Sequence, residues 1–314
     1  MKDRNRHISL ARICRVLGMS RQAYYQHWWH TETITIEHEL VLKKVIEMRT
    51  DHRHMGTRKL YELIQPFLME HHIKIGRDAL FDLLSANGLL VKRYKRRIST
   101  TNSFHMYRKF PNLIKELIPR HPNHVWVSDI TYWKIQERFL YISFITDAFS
   151  RKVLGYNVAE NLLSIETVKA LKMALEGAED IEFLHHHSDR GLQYCSNEYV
   201  QILEEHEIKI SMTETSDPRD NAIAERLNGI IKNEYLSSYS VKDLDEGKQV
   251  LDFVIKLYNE ERPHMSVGNL TPESVHEGNT VPEQLWKNYY HINSTIVNAI
   301  QDYDAAVNLL QDQE

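Results

Sequence analysis

Three carboxylates stand where solvation alone does not explain them. Asp129 lies inside the β-rich run HVWVSDITYWKI, on the same alternating face as Val125 and Val127. An ionised group there is costly unless it is paired or bound to a metal. Asp189 ends the run IEFLHHHSD, and the Arg190-Gly191 turn after it leaves the carboxylate at the carboxyl edge of a sheet. Glu225 falls on the helical segment DNAIAERLNGIIKNEYL, on a face with Asn221, Ala222, Gly229 and Lys232 and away from the apolar stripe of Ile223, Leu227, Ile230 and Ile231. Each alone reads more readily as a salt-bridged or hydrogen-bonded structural residue. Together, two strand carboxylates and one helix carboxylate can converge on hard divalent cations, which take oxygen ligands. Two such ions about 3.5–4 Å apart can activate an attacking oxygen and neutralise a leaving one, as phosphoryl transfer requires.

The elements that must position these residues are legible in the pattern. Three strands in series, HVWVSDITYWKI, RFLYISFITD and RKVLGYNVAE, read as antiparallel neighbours, with a turn at Gln136-Glu137. An amphipathic helix over about 164–176 follows, then the Asp189 strand, a helix near 196–206, the strand KISMT, the Glu225 helix and a last helix over about 244–259. Strands first and alternating helices later predict a mixed α/β sheet flanked by helices.

Ahead of the sheet the pattern is helical. Residues 8–28 read as two short helices separated by Gly18-Met19, with Ser20 as N-cap of the second. Arg21, Gln22, Tyr24 and Tyr25 then stand where a recognition helix places its DNA contacts, although a plain helical hairpin explains the segment equally well. A second block has Leu40, Val41, Val45 and Ile46 on one helix and Leu60, Leu63, Ile64, Phe67 and Leu68 on the next, and a third helix over about 78–86 stops at Asn87-Gly88. The run VKRYKRR follows, and its Lys92, Arg93, Lys95, Arg96 and Arg97 are expected to track phosphates. Residues 99–122 are polar, hold Pro111, Pro119 and Pro122, and mark a domain boundary.

Charge separates the same two regions. The whole chain of 314 residues has 39 basic and 43 acidic side chains, but residues 1–120 hold 23 basic against 11 acidic, leaving 16 against 32 in the remainder. The basic end predicts a polyanionic partner. Only Cys14 and Cys195 are present, which excludes a disulfide framework and a zinc-finger cluster. No apolar leader or span of about 18 residues appears, so a cytoplasmic protein with no membrane contact is expected.

The strings WVSDITYW, HHSDRGLQY, DNAIAERLNGIIKNE and YNEERPH, with TPE shortly after, resemble insertion-sequence transposases of the OrfB type, which share the retroviral-integrase catalytic core. Thirty-five residues separate Asp189 from Glu225, the spacing of that group's Asp-Asp-Glu triad. ISLARICRVLGMSRQAYYQHW resembles the family's usual start, and MGTRKLYELI with IGRDALFDLLSANGL its second helix-turn-helix region.

The resemblance implies a ribonuclease-H-like sheet preceded by an all-α region. It makes Asp129, Asp189 and Glu225 a catalytic triad holding two Mg²⁺ or Mn²⁺ ions, and Lys232 a DNA contact, with Arg226 grouped beside it. The expected division is a helix-turn-helix at 1–45, a second such domain with a basic end at 46–98, a linker at 99–120, an integrase-like core at 121–277 and an acidic helical tail at 278–314. His187 and Asn221 are expected to support the triad. His185, His186 and His187 cannot form one metal cluster, because alternate strand residues point to opposite faces. Zinc is not expected. Trp126, Tyr132 and Trp133 read as sheet packing, and Pro263 of Arg262-Pro263-His264 as a helix-ending turn as well as a family motif.

The implied function is a bacterial, nucleoid-associated DNA transposase that cuts its element's terminal inverted repeats and joins the 3′-OH ends to target DNA. An upstream-frame helix-turn-helix and leucine-zipper protein is the expected fusion or partner, with oligomerisation on DNA. A non-catalytic DNA-binding regulator and a ribonuclease-H-type nuclease without strand transfer are the alternatives.

Overall fold

The computed structural model describes residues 9–91, 106–136, 138–214, 221–278 and 282. Two expected features, the basic run from Lys92 to Arg97 and the tail at 278–314, therefore lie outside the described residues, apart from Gly278 and Pro282.

Helix α1 (Leu10–Val16) leads through Gly18, at φ +68°, to α2 (Arg21–Met48), whose first turn is capped by Ser20 Oγ accepting from the Ala23 amide at 3.0 Å. The second helix does not stop near Trp28. It runs unbroken across the boundary expected at residue 45, because no Gly, Pro or Asn interrupts 21–48. Val41 and Val45 on α2 close a small core with Leu60, Ile64 and Leu68 of α3 (Thr57–Glu70) and Leu80 and Leu84 of α4 (Arg77–Ala86). Gly88, at φ +66°, ends this helical unit.

The sheet has the order β3-β2-β1-β4-β5. Strands β1 (Val125–Ile135), β2 (Arg138–Asp147) and β3 (Val153–Ala159) are antiparallel neighbours, while β4 (His185–Ser188) and β5 (Lys209–Met212) extend the other side in parallel. This is the mixed, ribonuclease-H-like sheet expected. The fourth strand is shorter than its apolar run, since only residues 185–188 find ladder partners on β1 and β5.

Helices cover both faces. On one, α5 (Ser164–Glu176) and α6 (Asn197–Glu205) bury Val168, Leu171, Tyr199 and Leu203 against Trp126, Ile145 and Met212. The approach of α5 depends on Gly155, where a Cβ would lie 2.1 Å from the Ala170 carbonyl oxygen. On the other face, α7 (Ala222–Ile230) and α8 (Leu244–Lys256) pack Leu227, Ile230, Leu251 and Val254 over Trp133, Leu140, Ile142 and Phe144. Each of these two helices continues into a π-turn, Ile231–Tyr235 and Leu257–Glu261, and α9 (Pro272–Gly278) follows. The described part of the expected linker is irregular but laid against the core: Leu113 N–H donates to Ser211 Oγ at 2.9 Å, and Ile114 and Leu117 cover Val125 and Val127.

The helical unit docks on the first π-turn. Lys59 Nζ lies 2.6 Å from Glu234 Oε1, His52 Nδ1 lies 3.2 Å from Tyr235 Oη, and Arg53 donates to the Ser238 carbonyl at 3.0 Å. Among the described residues no helix is long and apolar enough to cross a membrane.

Candidate active site

Strand register brings the two aspartates together. Val127 pairs with His187 across the parallel β1–β4 ladder, so Asp129 and Asp189, each two residues further on, stand in line at one sheet edge and on one face. Helix α7 lies over that face and supplies Glu225 from its first turn. Asn221 Nδ2 donates to the Ser128 carbonyl at 2.9 Å and pins the start of α7 to the residue before Asp129.

Asp129 is held on both oxygens. Its Oδ1 accepts from the Ile130 amide at 2.9 Å and its Oδ2 from Asn228 Nδ2 at 2.7 Å. Burial pushes its carboxyl up to about 8, with the charges of Asp189 and Glu225 adding to the shift against those two hydrogen bonds. The three carboxylates therefore act on one another through a shared field. Asp189 Oδ1 accepts from the Gly191 amide at 2.9 Å, and a Cβ at Gly191 would come within 2.8 Å of that same oxygen. A glycine is thus built into the turn that sets the second aspartate.

Lys232 completes the edge. Its Nζ sits 3.9 Å from the centroid of the Tyr132 ring, and burial lowers its pKa while Asp129 pulls it back up. Tyr132 is thus more than sheet packing, whereas Trp126 and Trp133 are buried as expected. Arg226 is exposed one residue past Glu225. Arg21 is exposed and Tyr24 half-buried at the start of α2, with the Tyr24 and Tyr25 rings edge to face at 5.6 Å.

The histidines divide as the alternation predicts. His186 Nε2 meets Ser128 Oγ at 2.7 Å and Tyr199 Oη at 2.9 Å, and burial holds it neutral with a pKa of about 3. His187 is buried on the opposite face, where Nδ1 meets Ser211 Oγ at 2.8 Å and ties β4 to β5 two residues ahead of Asp189. Two further residues have no counterpart in the sequence reading. Asn228 carries the direct contact to Asp129. Tyr194, in the string HHSDRGLQY, is buried with its hydroxyl unpartnered, and burial, Tyr199, Asp129 and Asp189 all raise its pKa.

Among the described residues no three His, Cys, Asp or Glu side chains are gathered closely enough to hold a metal ion. The donor set nevertheless suits a hard cation. It comprises three carboxylates whose mutual repulsion a cation would relieve, together with the Asn221 and Asn228 side-chain oxygens, which are buried and unpartnered.

A second cluster explains the Arg262 motif. Arg262, 1% exposed, grips Glu234 through Nε at 2.8 Å and Nη2 at 3.1 Å, and Lys59 takes the same carboxylate. Burial pushes the Glu234 carboxyl up, but Arg262 and Lys59 overcome it and hold the group at about 2. Lys59 is driven down to about 8 by burial and by Arg262, because a single carboxylate cannot compensate two buried cations. The helix-ending turn alone does not account for this motif.

The chain has relatives among insertion elements and integrases. The Integrase core domain family matches residues 119–218, and a second family of the same description matches 206–272. The insertion element IS600 uncharacterized 31 kDa protein of Shigella sonnei is 37% identical over 270 residues, covering 84% of this chain and 97% of the relative. The transposase for insertion sequence element IS629, also of Shigella sonnei, is 27% identical over 267 residues, 83% of this chain and 88% of its own. The HTLV-2 integrase catalytic core domain, solved in complex with magnesium, superposes with a TM-score of 0.41 at 26% identity over 50% of this chain and 98% of its own. The strand order β3-β2-β1-β4-β5 is itself that of a ribonuclease-H-like sheet. By its relatives and its core, the chain belongs to the insertion-sequence transposases built on an integrase core domain, polynucleotidyl transferases of DNA transposition.

Proposed function

We propose that this chain cuts the ends of its mobile element and joins the resulting 3′-OH ends to target DNA by phosphoryl transfer at Asp129, Asp189 and Glu225. The observation that carries this reading is the β1–β4 register, which sets two aspartates side by side under the helix that bears the glutamate. These three residues would hold two Mg²⁺ or Mn²⁺ ions, which when bound supply a nucleophile-activating and leaving-group-neutralising charge. Asn228 and the Ile130 amide orient the Asp129 carboxylate, and Asn221 fixes the helix that carries Glu225. Lys232 and Arg226 flank the carboxylates and are suited to draw the scissile strand toward them. Water and then a DNA 3′-OH serve in turn as nucleophiles, so no covalent protein–DNA intermediate is needed. Arg21, Tyr24 and the run Lys92–Arg97 engage the DNA away from the centre. An upstream-frame helix-turn-helix and leucine-zipper protein, fused or in trans, pairs two protomers.

The test is a strand-transfer assay with terminal-repeat DNA and Mg²⁺. Asp129→Asn, Asp189→Asn and Glu225→Gln should each reduce cleavage and joining to background while DNA affinity stays within a few-fold of wild type. Joining above background in any one variant removes that residue from the triad. Cut ends without joined products in the wild type would favour the nuclease reading instead.

A further inference from the structure

A cavity of about 310 Å³ opens beside the first turn of α7, between the β2–β3 turn and the loop after Arg262. Four cationic side chains line it: Lys59, Arg151, Arg226 and Arg262. Glu234 answers only two of them, and Arg151 and Arg226 form no ion pair among the described residues. Asp147 also acts on Arg151, so four cations stand against the carboxylates of Glu234 and Asp147 among the described residues. The neutral His264 on the same wall registers the cations: burial lowers its pKa to about 3, and all four push in the same direction.

Two buried donors reach into this space without partners. Thr146 is 1% exposed and lines the cavity, and its hydroxyl has no hydrogen-bond partner. Arg151 Nη1 is likewise unpartnered, although its Nε donates to Ser266 Oγ at 3.2 Å. The residue is locked in place at φ +70°, with its carbonyl accepting from the Tyr258 hydroxyl at 3.1 Å. A buried unpaired hydroxyl and a buried guanidinium missing one partner each cost stability unless something meets them. The remaining wall is apolar, with Ile223, Leu227 and Met265. The volume sits at the lower end of small-ligand sites, more than a bare anion needs.

We propose that this cavity binds one DNA phosphodiester together with its deoxyribose, holding the strand beside the turn of α7 that carries Glu225. The phosphate meets Arg151, Arg226 and the Thr146 hydroxyl, and the sugar lies on the apolar wall. This rests on the transposase reading for the identity of the strand. Its consequence is positional: a backbone phosphate fixed here sets how far along the strand the carboxylates reach.

Thr146→Val decides the matter, because it removes a neutral donor and leaves shape and charge alone. The full chain is measured in chelator, with duplex DNA as the probe and no chemistry involved. Thr146→Val should melt as high as wild type or higher, since an unsatisfied hydroxyl is gone, yet bind DNA several-fold more weakly with an unchanged salt slope. Arg151→Gln should bind about tenfold more weakly and lose about 0.9 from the slope of log affinity against log salt, the loss of one phosphate contact. Wild-type affinity in Thr146→Val, or an unchanged slope in Arg151→Gln, overturns the proposal. Inorganic phosphate is titrated in parallel: if it saturates the cavity without displacing DNA, the site is an adventitious anion site only and the proposal falls. A wild-type chain without strand transfer but with both binding deficits intact would overturn the transposase reading and keep the cavity. Strand transfer with both variants binding normally would do the reverse.

Discussion

Gly191 shows how little separates a carboxylate in line from one out of it. A methyl group there would press on Asp189 Oδ1, the oxygen that the Gly191 amide itself holds. Gly191→Ala should leave folding and DNA affinity near wild type but lower the rate of strand transfer by roughly ten- to a hundredfold, the usual effect of displacing a reacting group by about an ångström. Single-turnover kinetics check this, and a rate within twofold of wild type would show that the turn tolerates the shift. The aspartates were legible from sequence because strand alternation and edge position follow from period two. Asn228 was not, because a polar residue on an amphipathic helix reads as solvated until one knows that β1, 99 residues earlier, lies beneath it. Tyr194 was hidden for the same reason. Its hydroxyl gives no local signal of burial.

At the scale of elements, the two π-turns matter most. A helix continued at 3.6 residues per turn would not bury Tyr235 and Leu236 and also aim Glu234 at Arg262; the widened turn at Ile231–Tyr235 does both. The second, at Leu257–Glu261, ends directly before Arg262. No periodicity in the sequence marks either, since the extra residue is set by contacts 28 and 175 positions away. Glu234→Gln should destabilise the chain by about 3–5 kcal/mol, because it strands two buried cations. Lys59→Met, which leaves a matched Arg–Glu pair, should cost far less or nothing.

The pH dependence follows from the same cluster. The folded Glu234 carboxyl at about 2 lies below its unfolded value, so its contribution is complete above about pH 5 and is lost as pH falls toward 2. The folded Lys59 at about 8 lies below its unfolded value of about 10.4, so its burial penalty is full below pH 8 and disappears as pH rises past 10. Denaturation across pH should therefore show the gap between wild type and Glu234→Gln closing in acid as Glu234 is protonated, and narrowing in part above about pH 8 as Lys59 loses its proton. A constant gap between pH 6 and pH 2 would mean that Glu234 is not the anchor of the docked helical unit.

Over the whole molecule, charge and fold divide the work unequally. Residues 121–314 carry twice as many acidic as basic side chains, so a DNA strand approaching the carboxylates meets repulsion that only local cations relieve. Lys232 and Arg226 are stationed beside those carboxylates, while the basic surplus sits in residues 1–120. Affinity should then come mainly from the N-terminal third and from phosphate contacts. For the full chain in chelator, five or six neutralised phosphates imply a slope near −5 and about a thousandfold loss of affinity over a fourfold rise in salt. Replacing Lys92, Arg93, Lys95, Arg96 and Arg97 together by glutamine should flatten that slope by about 0.9 for each phosphate released. The triad variants should leave it untouched, because carboxylates contribute no counterion release. A slope that survives the five-fold replacement would place the DNA track on another surface, and one that steepens in Asp129→Asn would mean that the acidic edge, rather than the basic end, governs how DNA is held.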